Sequence, residues 1–449
     1  MNKNTIPKQL ITIYLVLFSL YSLATRFTLT ACFMDGEINN ILYRILLIAG
    51  CLLALWFLIT LRKRLRTWDT GLLFLFLITL CIGIFLNRPY GLMDNIYGFF
   101  TFGFQLVLFY YLSWFLTEGE AKSILKRIVL LCSFLWDMAC AGSLLQYLLG
   151  IHYVCKYASD HSAVRQGITD GRLFGLFSDP NFAAFTSLLL IYGLLYVLRN
   201  TRLRIIRIFC YGSLFVNGIY IVMSNSRTVL LSVVGSALFY VLFWSYKKGQ
   251  NTYDRRLAMA GHLLRRGLCT LLGLVVVYCL ILFPMQGLAW LISPERDTTA
   301  EMIREDVGTD NISNNRFAIW SAYLELYTEQ PVFGFSLRSA LPYAEKNNPS
   351  GYLAQTQYVT HNGYLSLLVE TGIVGFVLMA VFLISLLVRA VQRSRRPEPV
   401  TDTFVLAAVW LVAILIFCLC FHDIFFTMNF ETFLFWWGGG FLGRDSINK

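Results

Sequence analysis

Long apolar runs separated by short basic or polar segments set the pattern of this chain. Each run holds about 18 to 25 residues, which as a helix spans a hydrocarbon layer of roughly 30 Å. About twelve such runs are predicted, over 10–30, 41–61, 70–87, 96–116, 128–149, 180–198, 208–224, 227–246, 267–290, 362–388, 403–421 and 424–442. Two polar intervals are longer than the rest, 150–179 and 291–361. The second opens on acidic sequence (Glu295, Asp297, Glu301, Glu305, Asp306, Asp310) and then turns amphipathic at helical spacing through Phe317, Trp320, Tyr323 and Tyr327. A helix from Asn315 to Glu329 is predicted, capped by Asn314 or Asn315 and stopped by Pro331, with a turn-rich return to His361.

Composition agrees with the pattern. With 57% hydrophobic and 14% charged residues and a mean hydropathy of +0.62, the 449-residue chain lies outside the range of soluble domains. The fold class is therefore all-α, a polytopic integral membrane protein forming one domain over residues 1–449, with one large extracytoplasmic loop over 291–361. The net charge of +11 does not change this picture. Lysines and arginines gather in alternate short loops, at Arg62–Arg66, Lys122–Arg127, Arg199–Arg207, Lys247–Arg266 and Arg389–Arg396. Cytoplasmic retention of such loops puts both termini inside and the segments 150–179 and 291–361 outside. Charge scattered over loops also argues against nucleic acid as a partner. Lys3 and Lys8 precede the first apolar run, which is read as a retained span. The eleven cysteines fall mainly inside runs and show no metal or disulfide spacing, with Cys155 in an outward interval.

Arginines on the outward side run against this charge bias and recur beside glycine, proline or asparagine. They are Arg172 in RLFGLFSDPNFAA, Arg227 in SNSRT, Arg316 in NNRFAIW, and Arg338. Each needs an anionic partner, either an outward carboxylate such as Asp179, Glu325, Glu370 or Asp423, or a phosphate gripped by the guanidinium fork. Arg227 is the sharpest, at the junction of two apolar runs. For Arg26 and Arg44, near span ends, snorkelling to the interface suffices. His361 is the only histidine of the long outward interval and suits a general base as well as a helix cap. His422 with Asp423 reads as an interfacial cap, and His152 and His161 carry less. Walker, dinucleotide and nucleophile-elbow motifs are absent, and Glu295-Arg296-Asp297 only imitates a metal-binding DxD.

Together RLFGLFSDPNFAA, SNSRT, NNRFAIW with EQPVFGFSLRSA, and THNGYLSLLVETGIVG resemble the O-antigen ligase and O-antigen polymerase family, over roughly 165–390. The resemblance implies a metal-independent, cofactor-free, inverting glycosyltransferase in the bacterial cytoplasmic (inner) membrane. Its partners would be an undecaprenyl-diphosphate-linked oligosaccharide, a glycan acceptor and membrane lipids. Arg172, Arg227 and Arg316 would hold the diphosphate and His361 would act as base, with Trp320, Tyr323, Arg338 and Asn362 accessory. Polymerisation of repeat units is the first expectation and ligation of finished glycan to an envelope acceptor the alternative. A flippase for the same lipid-linked glycan is a third reading, which the gathering of informative residues at span ends disfavours. The residue at Phe335, where the family pattern carries a second glycine after Gly334, departs from the common form.

Overall fold

The computed structural model describes residues 8–33, 36–61, 68–156, 163–250, 252, 256–303, 315–396, 399–421 and 425–444. Its helices are α1 (Lys8–Ala24), α2 (Thr28–Phe33), α3 (Gly36–Leu61), α4 (Trp68–Leu86), α5 (Leu92–Gln105), α6 (Leu112–Phe115), α7 (Glu118–Leu148), α8 (Pro180–Arg199), α9 (Arg204–Met223), α10 (Arg227–Gly249) and α11 (Arg256–Ile292). After α11 come three short helices, α12 (Arg316–Tyr327), α13 (Ala340–Asn347) and α14 (Tyr352–Thr356), and then α15 (Gly363–Arg395), α16 (Asp402–Phe417) and α17 (Phe430–Gly443). A π-helical stretch, Leu106–Tyr111, joins α5 to α6, so that 92–115 is one rod. Among the described residues nine helices are long and apolar enough to cross a membrane. The other three predicted spans fall on the shorter helices α1, α16 and α17.

Burial explains which helices are central. Every residue of α17 is buried, and α16 is buried along most of its length, so these two form the middle of the bundle. Leucine, isoleucine and phenylalanine are exposed in stripes on outer helices, as at Ile41, Ile45, Ile48, Leu52, Leu55 and Ile59 of α3. α11 is the extreme case, with Ala289 its one buried residue. Exposed apolar stripes on helices of this length are the surfaces a bilayer would cover.

The interval 150–179 corrects the purely helical expectation. It holds strands β1 (Tyr153–Lys156), β2 (Ala163–Thr169) and β3 (Arg172–Gly175) in one antiparallel sheet of order β1-β2-β3. β3 is buried throughout and rests on α7, where Gly175 (φ 60) leaves room for Ser143. Beyond it, Phe27 and Phe177 form an isolated antiparallel bridge, with Thr28 N–H donating to Leu176 O and Ser178 N–H to Arg26 O.

The long interval between α11 and α15 is anchored rather than suspended. Residues 331–339 run between α4, α5 and α15: Phe335 and Ser336 are fully buried and Leu337 nearly so. α15 is interrupted at Gly372 (φ 64, ψ −175), which frees backbone groups within an apolar helix. The inserted segment satisfies them. Phe335 N–H donates to Val369 O and Ser336 N–H to Glu370 O, while Ile373 N–H donates to Pro331 O and Val374 N–H to Val332 O. Irregular backbone at such a position is tolerated where protein surrounds it and pairs its backbone groups. Asn87 and Asn95 complete the seam: the Asn87 amide donates to Gly334 O, and Asn95 accepts from Arg338 N–H and donates to Ser339 Oγ. The turn left open by the sequence at Phe335 thus has left-handed residues on both sides, Gly334 (φ 67) and Ser336 (φ 65).

At the opposite end of α15, Arg389 grips the fully buried Asp69 with both Nη atoms at 2.6 Å, and Tyr110 of the π-helical stretch donates to the same carboxylate at 3.2 Å. This basic residue, counted in sequence as a topology marker, is a tie between α4 and α15.

Candidate functional site

The site begins at the start of α8. Asp179 caps that helix, accepting from Asn181 N–H and Phe182 N–H, and Pro180 supplies a first-turn residue with no N–H to satisfy. The cap leaves the Asn181 side chain free to face two other elements. Arg172 of β3 donates to Asn181 Oδ1 at 2.5 Å, and Ser226 Oγ donates to the same oxygen at 2.8 Å. Arg172 also reaches Ser224 O at 3.4 Å, and Asn225 (φ 48) donates from its amide to Gly171 O. The SNSRT turn between α9 and α10 is therefore fastened to the β2–β3 turn and to the α8 start. Asp179, a partner weighed for these arginines in sequence, is occupied as the helix cap.

Arg227 follows directly as the first residue of α10, exposed, with no hydrogen bond or ion pair to the described residues. A cation at a helix N-terminus lies at the positive end of the macrodipole, which raises the benefit of an anion beside it.

Phe182 links this node to the rest of the site. Its ring packs 5.0 Å from Phe421, four residues past the end of α16, and the Arg316 guanidinium lies 5.9 Å from the Phe421 ring. Arg316 opens α12, behind Asn315, which is left-handed (φ 59) and makes no side-chain cap bond. Asn315 thus stands at the cap position expected from sequence, as a left-handed turn residue, and Asn314 lies outside the described residues. On the other side of Phe421, Gly363 N–H donates to Cys418 O, and a Cβ on Gly363 would meet Phe421 O at 3.0 Å.

His361 stands two residues before that contact, half-buried and left-handed (φ 46). Asn362 caps α15, its Oδ1 accepting from Tyr364 N–H and Leu365 N–H at 3.0 Å each. Thr360 Oγ1 donates to Asn362 O across the histidine. The backbone around His361 is also held from α12: Trp320 Nε1–H donates to Thr360 O and Tyr323 OH to Tyr358 O, both at 2.9 Å. The polar ends of Trp320 and Tyr323 are directed at the histidine's own loop. Ile319, Tyr323 and Leu326 bury against Phe335, Leu365 and Val369, which fixes α12 on α15.

Arg338 is exposed and lines a cleft of about 280 Å³ with Gln357, Thr360, Ser366 and Glu370. The cleft shares Thr360 with the His361 loop. Near it, Tyr343 donates to Glu329 Oε2 at 2.8 Å, and this bond to a carboxylate, with some burial, pushes the phenol up to about 12.

The structure thus links Arg172 to the start of α10, where Arg227 stands, through Asn181 and Ser226, connects Arg316 to that node through Phe182 and Phe421, and places His361 two residues before Gly363, which packs on Phe421. Arg338 stands apart, across Thr360. Glu295-Arg296-Asp297 forms no acidic pair: Arg296 holds Glu301 at 2.9 and 2.6 Å and two carbonyls ending α7, while Asp297 accepts from Thr299 and Ala300 N–H. Hydrogen bonding to Glu301 raises the Arg296 pKa above its ordinary value. His152 is exposed on its turn, and His161, His422, Asp423, Glu305, Asp306 and Asp310 lie outside the described residues.

One cluster was missed. Arg26 is more than a snorkelling cation: Nη2 is 3.1 Å from Oε2 of Glu431, a fully buried carboxylate in the first turn of α17. Thr186 of α8 donates to the other carboxylate oxygen at 2.7 Å, and the guanidinium rests 4.0 Å from the centre of the Phe182 ring. Glu431 in an otherwise apolar run, FETFLFWW, was the available signal, since an ionisable residue there asks for a partner.

Residues 212–380 match the family model described as O-antigen ligase, which supports the O-antigen ligase/polymerase family already suggested by the motifs. The match takes in Arg227, Arg316, Arg338 and His361; Arg172 and Arg26 precede it. No curated protein matches the chain.

Proposed function

We propose, taking the O-antigen ligase region as premise, that this protein transfers glycan from an undecaprenyl diphosphate carrier to an acceptor hydroxyl at the outer face of the bacterial cytoplasmic membrane. The observation that carries the reading is the chain of contacts from Arg172 and Ser226, the residue before Arg227, through Asn181, Phe182 and Phe421 to Arg316, with Gly363, two residues after His361, packed on Phe421. A diphosphate diester carries two negative charges, and three guanidinium groups at the starts of α10 and α12 and on β3 are matched to it.

In the reaction, the acceptor oxygen forms a bond to the anomeric carbon as the bond from that carbon to the carrier phosphate oxygen breaks. The electron pair leaves on the diphosphate, where the arginines stabilise it, and the hydroxyl proton passes to the His361 imidazole. Attack opposite the leaving group inverts the anomeric centre. These groups require no metal for the step as written. Trp320 and Tyr323 hold the base's loop, and Asn362 starts the helix behind it.

Polymerisation of repeat units remains the favoured form, and ligation is kept beside it because the matching family model is described as a ligase. The size of carrier-linked glycan in cells lacking the protein tests both. Single repeat units accumulate if it polymerises, and long chains accumulate if it ligates. An unchanged carrier-linked pool at the outer face would remove both and bring transport forward.

Arg227→Lys is expected to lower transfer at least about tenfold, because a point charge does not replace a planar fork at a phosphate. Initial rates with purified protein and carrier-linked glycan measure this, and a wild-type rate would take Arg227 out of the diphosphate site.

A further inference from the structure

We infer that Arg26 is a positioning residue for the diphosphate site, acting on Phe182, Asn181 and through them on Arg172. This rests on the reading of that site given above. Two sets of contacts converge on one segment, Leu176 to Phe182. From the backbone side, residues 26–28 are zipped onto 176–178: Arg26 O accepts from Ser178 N–H and Oγ–H, and Thr28 N–H donates to Leu176 O. From the side-chain side, the guanidinium of the same residue lies over the Phe182 ring, 4.0 Å from its centroid. The residues so gripped lead into and follow the Asp179 cap, and Asn181 between them is the acceptor shared by Arg172 and Ser226.

The guanidinium itself is fixed by Glu431, whose other oxygen is held by Thr186. Arg26 therefore joins α1, α8 and α17 at the point where the candidate anion site is built. Its charge is matched by Glu431, so it adds little net charge for a diphosphate. Its contribution is orientation: a planar cation stacked on one face of Phe182, whose neighbour Phe421 lies under Arg316. The Nε–H is buried with no hydrogen-bond partner among the described residues, so the group is kept in place by stacking and the one ion pair.

The test must separate positioning from bulk stability, because leaving Glu431 buried without its cation is destabilising by itself. Farnesyl diphosphate serves as the probe, bound to the purified full-length protein in detergent, with thermal stability read in parallel. Arg26→Gln and Arg26→Lys are expected to weaken the affinity about tenfold, the loss typical when a partner that orients a binding group is removed. The double variant Arg26→Met with Glu431→Met takes out both charges and is expected to recover the Tm while binding stays weak. Phe182→Leu leaves the ion pair intact and is expected to weaken binding to a similar degree, so the inference stays testable if the double variant does not fold.

Wild-type affinity in Phe182→Leu, or in a double variant of recovered Tm, would make the Arg26–Glu431 pair a structural tie only and overturn the inference. Failure of the wild-type protein to bind farnesyl diphosphate would overturn the diphosphate site itself, and this inference with it. Weakened binding at restored stability supports both.

Discussion

Replacing His361 by alanine is expected to lower glycan transfer by about a hundredfold or more, the range by which a positioned general base accelerates proton transfer. The residue sits where such a loss would be specific. Its loop is held by Trp320, Tyr323, Thr360 and the Asn362 cap, none of which uses the imidazole. The backbone complicates a simple reading, because φ 46 is a conformation that alanine adopts at a cost of about 1 kcal/mol. His361→Asn is the control: asparagine accepts left-handed geometry readily and has no group to take the proton. Transfer should be lost in both variants, while the Asn variant keeps the wild-type Tm. Full transfer in His361→Asn would take the histidine out of the chemistry and leave it as a turn residue.

Gly334→Ala is expected to prevent stable folding, with a cost of about 3 kcal/mol or more from backbone strain and overlap. A Cβ there would lie 2.5 Å from both Gly372 N and Val369 O, at φ 67, and these are backbone atoms that have no rotamer to change. The same collision viewed from the helix makes Gly372→Ala equivalent, with Val332 O at 2.2 Å. Gly273→Ala in α11 is the matched control, since nothing lies within 4 Å of its Cβ position, and it is expected to leave the Tm unchanged or slightly raised. Thermal unfolding of the three purified variants in one detergent decides the matter. A Gly334→Ala protein as stable as wild type would mean that the inserted segment is not packed against α15 as described.

What could be read in the sequence follows from how local each signal is. Apolar runs announce helices of membrane length without reference to anything else, and α8, α10, α15 and α16 were legible on that basis. The amphipathic pattern at 315–329 likewise gave α12, and the four arginines read as outward were singled out because, on that reading, they violate a charge bias. Non-local features were hidden. The strand Arg172–Gly175, RLFG, is too short to show a strand pattern of its own, and only pairing to β2 makes it a strand. The break at Gly372 lies in an apolar run, TGIVG, whose glycines weaken a helix without locating a break; the break stands where residues 331–336 approach. Arg26 and Glu431 are 405 positions apart, so neither could be assigned its partner.

That separation also has a meaning in time. Helices enter a membrane in the order in which they are made, and α1 has to wait beside β3 and α8 until α17 arrives with Glu431. Until then the Arg26 guanidinium lacks its counter-charge and the turn leading to Asn181 is gripped from one side only. Completion of the candidate anion site is thereby tied to the arrival of α17, and a nascent chain without that helix holds Arg26 unmatched and the turn it grips without its second hold.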